Sequence, residues 1–394
     1  MSKTTDHPFL AALRPEARDA PESGIVEVFN YGRGRQGLIP MWAGEGDLPT
    51  PDFIYEAAVR SLRDGETFYS AQRGIPEVRA ALARYHERTY GRTFADERFF
   101  ITGGGMQAIQ IAARMVAGQG DEVLVPVPSW PNITAAIAIN GGVPVGVPLR
   151  FGNDGWRLDL DRFFDAATER TRAIFLNSPA NPTGWTATRD ELQAILDFAR
   201  ARGLFIIADE VYHRFYFDAP RAPSFHDVAT PEDRVIHVNT FSKNWAMTGW
   251  RIGWLSTSPA LGQTIENLIQ YSTSGVAAFM QRAAVTALDE GDGFLAMQVE
   301  RVRRSREIVA GGLAATGRAR VHAPDGAFYL FFGIDGEEDT RALAKRLVDE
   351  ANVGLAPGSA FGPAGEGYMR LCFAARPEIV EEATGRLVAW LGRA

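Results

Sequence analysis

The sequence predicts an α/β protein. A large domain with a mostly parallel, doubly covered sheet is joined to a smaller α+β domain drawn from the two termini. Two observations lead there. Between Phe99 and Ala208, short apolar runs alternate with segments of helical periodicity, the pattern of strands buried on both faces and linked by crossover helices. From about Gly262 onward the chain turns helical, and strands return only near its end, which marks a second unit. The expected division is residues 1–50 for an N-terminal arm and part of the small domain, 51–303 for the large domain, and 304–394 for the rest of the small one.

Composition narrows the class. Hydrophobic residues make up 46% of the 394 and charged ones 23%, enough apolar material for a large core. A net charge of −7 and a pI near 5.5 lack the basic footprint of a nucleic-acid binder. The single cysteine, Cys372, excludes a disulfide within the chain and fits a reducing compartment. Residues 1–6 are polar, without the apolar centre of a secretory signal, and no apolar run reaches the ~18 residues of a membrane helix. A soluble cytoplasmic protein is expected, with no metal, nucleic-acid or membrane partner.

Residues 1–23 read as an arm with a short helix, and Gly32-Arg33-Gly34-Arg35-Gln36-Gly37 as a turn. Leu38–Trp42 reads as a strand, ending in the breaker-rich Ala43-Gly44-Glu45-Gly46-Asp47-Leu48-Pro49-Thr50-Pro51. Asp52 is expected to cap a helix running to Leu62. Glu77–Tyr90 reads as a helix with Val78, Leu82 and Tyr85 on one face. Strands are then expected at Phe99–Ile101, Glu122–Val127, Val143–Pro148, Arg172–Asn177, Leu204–Ala208 and Val235–Val238. Helices fall at Ala108–Val116, Pro131–Asn140, Asp159–Ala167 and Arg189–Arg202. Beyond these lie helical stretches through Glu290 and over Phe294–Ala315. Strands at Val321, Phe328–Phe332 and Tyr368–Phe373 surround a helix over Thr340–Ala351.

The chemistry gathers around Asn239-Thr240-Phe241-Ser242-Lys243-Asn244-Trp245-Ala246-Met247-Thr248-Gly249-Trp250-Arg251-Ile252-Gly253. A lysine that attacks a carbonyl needs a lowered pKa, which a nearby cation helps to supply. A hydroxyl and a guanidinium hold a phosphate through charge-assisted hydrogen bonds. Ser242, Lys243 and Arg251 are therefore the parts of a site for a phosphorylated aldehyde, which describes pyridoxal 5'-phosphate. Other turns follow strand ends: Thr102-Gly103-Gly104-Gly105-Met106-Gln107, suited to an anion at a helix start; Pro128-Ser129-Trp130-Pro131; Asn177-Ser178-Pro179-Ala180-Asn181-Pro182-Thr183-Gly184; and Asp209-Glu210-Val211-Tyr212.

In family order across nearly the whole chain, these segments resemble the class I/II aminotransferases, the fold-type I pyridoxal-phosphate enzymes, in their aspartate-aminotransferase-like form. The resemblance implies that Lys243 is the Schiff-base lysine and general base. It implies a phosphate site made of Gly104, Gly105 and Met106 with Ser242 and Arg251. Trp130 would stack on the cofactor ring and face the substrate. Asp209 would pair with the ring nitrogen, and Tyr212 and Asn181 would bond the phenolic oxygen. Arg370, in Tyr368-Met369-Arg370-Leu371, would clamp the substrate carboxylate with Asn181 and the backbone of Gly44. Gly46 stands where the family commonly has proline. Tyr69, in a Y-x-x-x-x-G-x-P segment, would reach a neighbour's cofactor phosphate, implying a homodimer with composite sites.

The implied reaction is ping-pong transfer of an amino group from an L-amino acid to a 2-oxo acid. A lyase on the same scaffold, for example a carbon–sulfur β-lyase, is the alternative. A non-catalytic regulatory domain is a further one, although such regulators carry a DNA-binding domain where this chain has a short arm. Specificity candidates are Ile25, the Tyr31-Gly32-Arg33 turn and the Ser359-Ala360-Phe361-Gly362 loop; Arg33 and Arg35 read first as exposed turn arginines, with recognition of an acidic side chain as the alternative. Aspartate or another common amino acid is the default donor.

Overall fold

The structure, a computed structural model, describes residues 7–393; the reading of Met1–Asp6 lies outside them. Its centre is a seven-stranded sheet. The strands are β1 (Phe99–Thr102), β2 (Glu122–Val127), β3 (Val143–Pro148), β4 (Thr171–Asn177), β5 (Phe205–Asp209), β6 (Val235–Thr240) and β7 (Gly253–Ser256). They lie in the order β1-β7-β6-β5-β4-β2-β3. All neighbours from β6 to β3 run parallel, and only β7 is antiparallel to the strands beside it.

Strand β5 shows why the sheet is covered on both sides. Ile206 and Ala208 pack into one apolar cluster with Trp185, Leu192 and Ile195, while Ile207 packs into another with Ala108, Ile109 and Ala112. Apolar side chains on both faces leave no face for water, as parallel sheets require. The edge strand β3 is mostly exposed or half-exposed, and it tolerates Pro144 and Pro148 because an edge can lose a ladder donor. Covering helices carry their own end signals. Arg189–Arg202 opens on a capping box of Thr188 and Glu191 and closes on Gly203 at φ 64°, the left-handed position that glycine takes without strain.

A second, four-stranded antiparallel sheet contains β8 (Ala319–Arg320), β9 (Tyr329–Ile334), β10 (Ala356–Pro357) and β11 (Met369–Cys372), in the order β8-β9-β11-β10. The N-terminal segment joins this unit. Ile39 and Pro40 pair in parallel with Val353 and Gly354, and Cys372 N donates to Met41 O at 2.8 Å. The expected boundary at residue 303 falls inside an unbroken 23-residue helix, Asp292–Ala314.

Several expectations need correction. Gly32 is the last residue of a helix, Gly24–Gly32, and not part of a turn; a Cβ there would lie 2.6 Å from the Trp42 ring, so this glycine serves close packing. The turn proper holds Gly34 and Gly37, at φ 80° and 73°. Asp52 sits in the first turn of Asp52–Arg63, with Pro51 at the cap position. The helical stretch after Gly262 is two helices, Gly262–Gln270 and Ala278–Glu290, parted where Ser274 and Gly275 take φ of 57° and 106°. Strand β7 and a C-terminal helix, Pro377–Leu391, were not foreseen. None of the described helices is long and apolar enough to cross a membrane.

The register is what matters for chemistry. Asn177, Asp209 and Val238 lie side by side at the carboxyl ends of β4, β5 and β6, where open parallel sheets place ligands. Ile207→Ala should cost roughly 2–5 kcal/mol of stability, read as a lowered thermal midpoint, since Ile207 is fully buried beside Asp209.

Candidate active site

A cavity of about 280 Å³ opens between these strand ends, the loop through Trp42–Gly44, the helix Gly24–Gly32, and strands β9 and β11. Lys243 reaches it from a one-turn helix, Phe241–Asn244, that directly follows β6. Its Nζ donates to Gly44 O at 2.7 Å and lies 5.8 Å from the Tyr212 ring centre. Removal from water lowers its pKa to about 8; Arg370 and Arg251 push the same way, opposed by Cys372 and Glu45. Burial, more than the neighbouring cation the sequence suggested, makes this amine available.

Asp209 is 3% exposed, and its carboxylate takes a hydrogen bond from Val211 N at 3.4 Å. Burial raises its pKa to about 7, with Glu210 adding to the rise and Lys243 opposing it. Asn177 steadies the strand ends: its Nδ2 donates to Asp209 O at 3.1 Å, and its Oδ1 accepts from Asn181 N at 2.7 Å. Asn181 Oδ1 in turn accepts from Arg370 Nη1 at 3.0 Å. The Arg370 guanidinium is sandwiched between the rings of Tyr329 and Phe361, at 4.6 and 4.8 Å, and also donates to Trp42 O. Its Nε is buried without a partner. The Tyr212 and Tyr329 hydroxyls share a hydrogen bond of 2.8 Å, and burial raises the pKa of both.

At the other end, Gly105 and Met106 line the cavity with Thr240, Ser242 and Arg251. They open the helix Gly104–Val116, whose first amides lack partners within the helix. Gly104 lies behind this wall, not on it. With φ at 81° it lets the Arg251 guanidinium pass; a Cβ would sit 2.7 Å from Arg251 Nη2. Gly44 is comparably tight, since a Cβ there would meet the Tyr329 hydroxyl at 2.7 Å. Trp130 supplies an aromatic wall.

The structure thus brings Gly44, Gly105, Met106, Trp130, Asn181, Asp209, Tyr212, Ser242, Lys243, Arg251 and Arg370 to one cavity. Tyr69 is 93% exposed and does not line the cavity of its own chain. Among the specificity candidates, Ile25 lines the cavity and Phe361 lies against Arg370. Arg33 lies over Phe29, Arg35 pairs with Asp349 at 2.5 Å, and the Tyr31 hydroxyl donates to Asp349 at 2.8 Å, so none of these three faces the cavity. Sequence reasoning missed Trp42, Asn177, Thr240 and Tyr329 as wall residues. The first three lie in or beside quoted motifs. Tyr329 sits in an apolar strand, with no local sign of its role.

Below the site, Glu210, His226 and His237 place ligating atoms within 4.8 Å of one another. The two imidazoles are stacked 3.6 Å apart at an interplanar angle of 9°. Their in-plane lone pairs therefore run parallel and do not converge, and the Glu210 carboxylate is already bonded by Ser224 Oγ and Phe225 N.

The chain matches the family described as aminotransferase class I and II over residues 38–387. It is 36% identical to aromatic-amino-acid aminotransferase 2 of Thermococcus litoralis, covering 93% of this chain and 94% of that one. It is 34% identical to aspartate aminotransferase of Pyrococcus abyssi, again covering 93% and 94%. A solved Thermus thermophilus aspartate aminotransferase variant superposes with a TM-score of 0.89 at 32% identity, over 96% of this chain and 99% of that one. The chain belongs to the class I and II aminotransferase family.

An amine with a pKa near 8 has a simple signature. Its neutral fraction grows as pH rises, so acylation of Lys243, followed by peptide mass analysis, should reach half-maximum near pH 8. Lys345, whose pKa is raised by its bond to Glu27, should lag well behind.

Proposed function

We propose that the cavity binds pyridoxal 5'-phosphate and that an amino group passes through it from an L-amino acid to a 2-oxo acid in two half-reactions. The observation that carries this is the Lys243 amine and the Asp209 carboxylate facing one cavity, the first near pKa 8 and the second near 7. A buried carboxylate that its surroundings leave reluctant to ionise suits a cationic ring nitrogen placed against it. When bound, the cofactor supplies an aldehyde that condenses with amines and a ring that withdraws electrons from the substrate Cα.

In this reading the amides of Gly105 and Met106, with Ser242 and Arg251, hold the phosphate. Asp209 keeps the ring nitrogen protonated. Tyr212 and Asn181 serve the phenolic oxygen, and Trp130 offers an aromatic face. Arg370 binds the α-carboxylate beside Gly44, a planar guanidinium being suited to two parallel hydrogen bonds. Lys243 Nζ would serve as the general base that takes the proton from the substrate Cα. Relatives named as aminotransferases favour transfer over elimination.

Phe68 and Tyr69 are 85% and 93% exposed, which supports a homodimer in which Tyr69 serves the partner's phosphate site. The free, buried Cys372 supports the cytoplasmic reading. The division near residues 50 and 303 belongs to the same proposal.

Titration of the cofactor-loaded enzyme with amino acids should abolish a visible absorption band, and a 2-oxo acid should restore it. Lys243→Ala should lose that response; a band indifferent to every amino acid would overturn the proposal. Arg370→Lys should raise KM by roughly tenfold or more, the worth of one charge-assisted hydrogen bond.

A further inference from the structure

We infer that the amino donor carries an uncharged, apolar side chain, aliphatic or aromatic, and that Ile25 is a specificity-determining residue that selects it. This rests on the aminotransferase reading above and names the substrate class within it.

The cavity is lined by four charged groups: Lys243, Arg251, Arg370 and Asp209. In the proposed reaction each is engaged, with the substrate Cα proton, the phosphate, the α-carboxylate and the ring nitrogen respectively. Of the polar walls, Asn177 is bonded to Asp209 and Asn181, and Thr240 to Ser242 and Ile252. In this reading the donor side chain therefore meets apolar groups such as Ile25, Trp42, Met106 and Trp130, which line the same cavity. The Tyr329 hydroxyl is already committed to Tyr212. A second carboxylate placed among these groups would lose its water and find no unengaged cation among the described residues, whereas an apolar side chain would shed its own water against them.

Ile25 is well placed to set this choice because its helix is fixed. Within Gly24–Gly32, Glu27 pairs with Lys345 at 2.8 Å and the Tyr31 hydroxyl donates to Asp349 at 2.8 Å. A Cβ on Gly24 would already touch Ala360 at 3.0 Å, so the helix lies close against the C-terminal unit. The arginines just beyond it are engaged away from the cavity, Arg33 over Phe29 and Arg35 with Asp349. Nothing cationic on this helix turns inward.

The test is the first half-reaction alone. Cofactor-loaded enzyme is mixed with leucine, phenylalanine, aspartate or glutamate, and decay of the visible band is followed without any 2-oxo acid. Leucine and phenylalanine should be favoured over the two acidic donors by roughly 100-fold in the ratio of rate to half-saturation. Ile25→Arg should raise the aspartate-to-leucine ratio by roughly tenfold or more, as one charge-assisted hydrogen bond would. Ile25→Ala should slow leucine without helping aspartate.

Faster reaction with aspartate or glutamate would overturn the inference while leaving aminotransfer intact, and would mean that a cation reaches the cavity from outside this chain. A ratio unmoved by Ile25→Arg, in a variant that still binds cofactor with the same spectrum, would remove Ile25 as determinant. No response to any amino acid would overturn the aminotransferase reading itself, and this inference with it.

Discussion

Lys243, Asp209 and Arg370 are ionisable groups held largely out of water around one cavity, with no opposite charge from the described residues bonded to any of them. Such placement is costly unless neighbours satisfy what can be satisfied. Much of the surrounding structure does this. Gly44 O takes the lysine amine, Val211 N bonds the aspartate, and Asn181, the Trp42 carbonyl and two aromatic faces hold the arginine. Arg370 Nε is left buried with no hydrogen-bond partner among the described residues. The lowered pKa of Lys243 and the raised one of Asp209 share one origin, the exclusion of water.

The scaffold makes this possible by separating rigidity from chemistry. Strands β4, β5 and β6 are buried on both faces, so Asn177, Asp209 and the segment leading to Lys243 start from fixed points. The chemistry sits one step beyond, on turns whose glycines allow close approach. Gly253 in β7 shows how tight this is, for a Cβ there would strike Asn239 O at 2.7 Å and Gly105 N at 2.9 Å. The end of the lysine motif and the turn at Gly105 are thus held in close contact at Gly253.

Much of this was legible in the sequence because local physics and final structure agree. β2, β3 and the helix Arg189–Arg202 were read with the ends they have, since strong apolar runs and paired end signals mark them. Motif residues were legible because their chemistry demands unusual neighbours. Elsewhere tertiary packing overrode local signs. Gly32 looked like a turn because its real reason, the Trp42 ring beside it, is contributed by another segment. Strand β7 is four residues long and starts at the last residue of the lysine motif. Tyr329 reads as core until β9 and β11 pair and set it against Arg370. The C-terminal helix carries a periodic face in the sequence itself, with Val380, Ala383, Leu387 and Leu391 buried.

The contacts of Arg370 tie residues far apart in the chain: Trp42 near one end, Asn181 in the middle, and β11 near the other. Met41 O adds a bond to Cys372 N across the same gap. During synthesis, therefore, the large sheet can assemble while the cavity still lacks its arginine and its inner wall. Contacts of such long sequence separation close late and slowly. On a ribosome Lys243 would emerge well before Arg370, so the cavity gains its full lining only after β11 has been made.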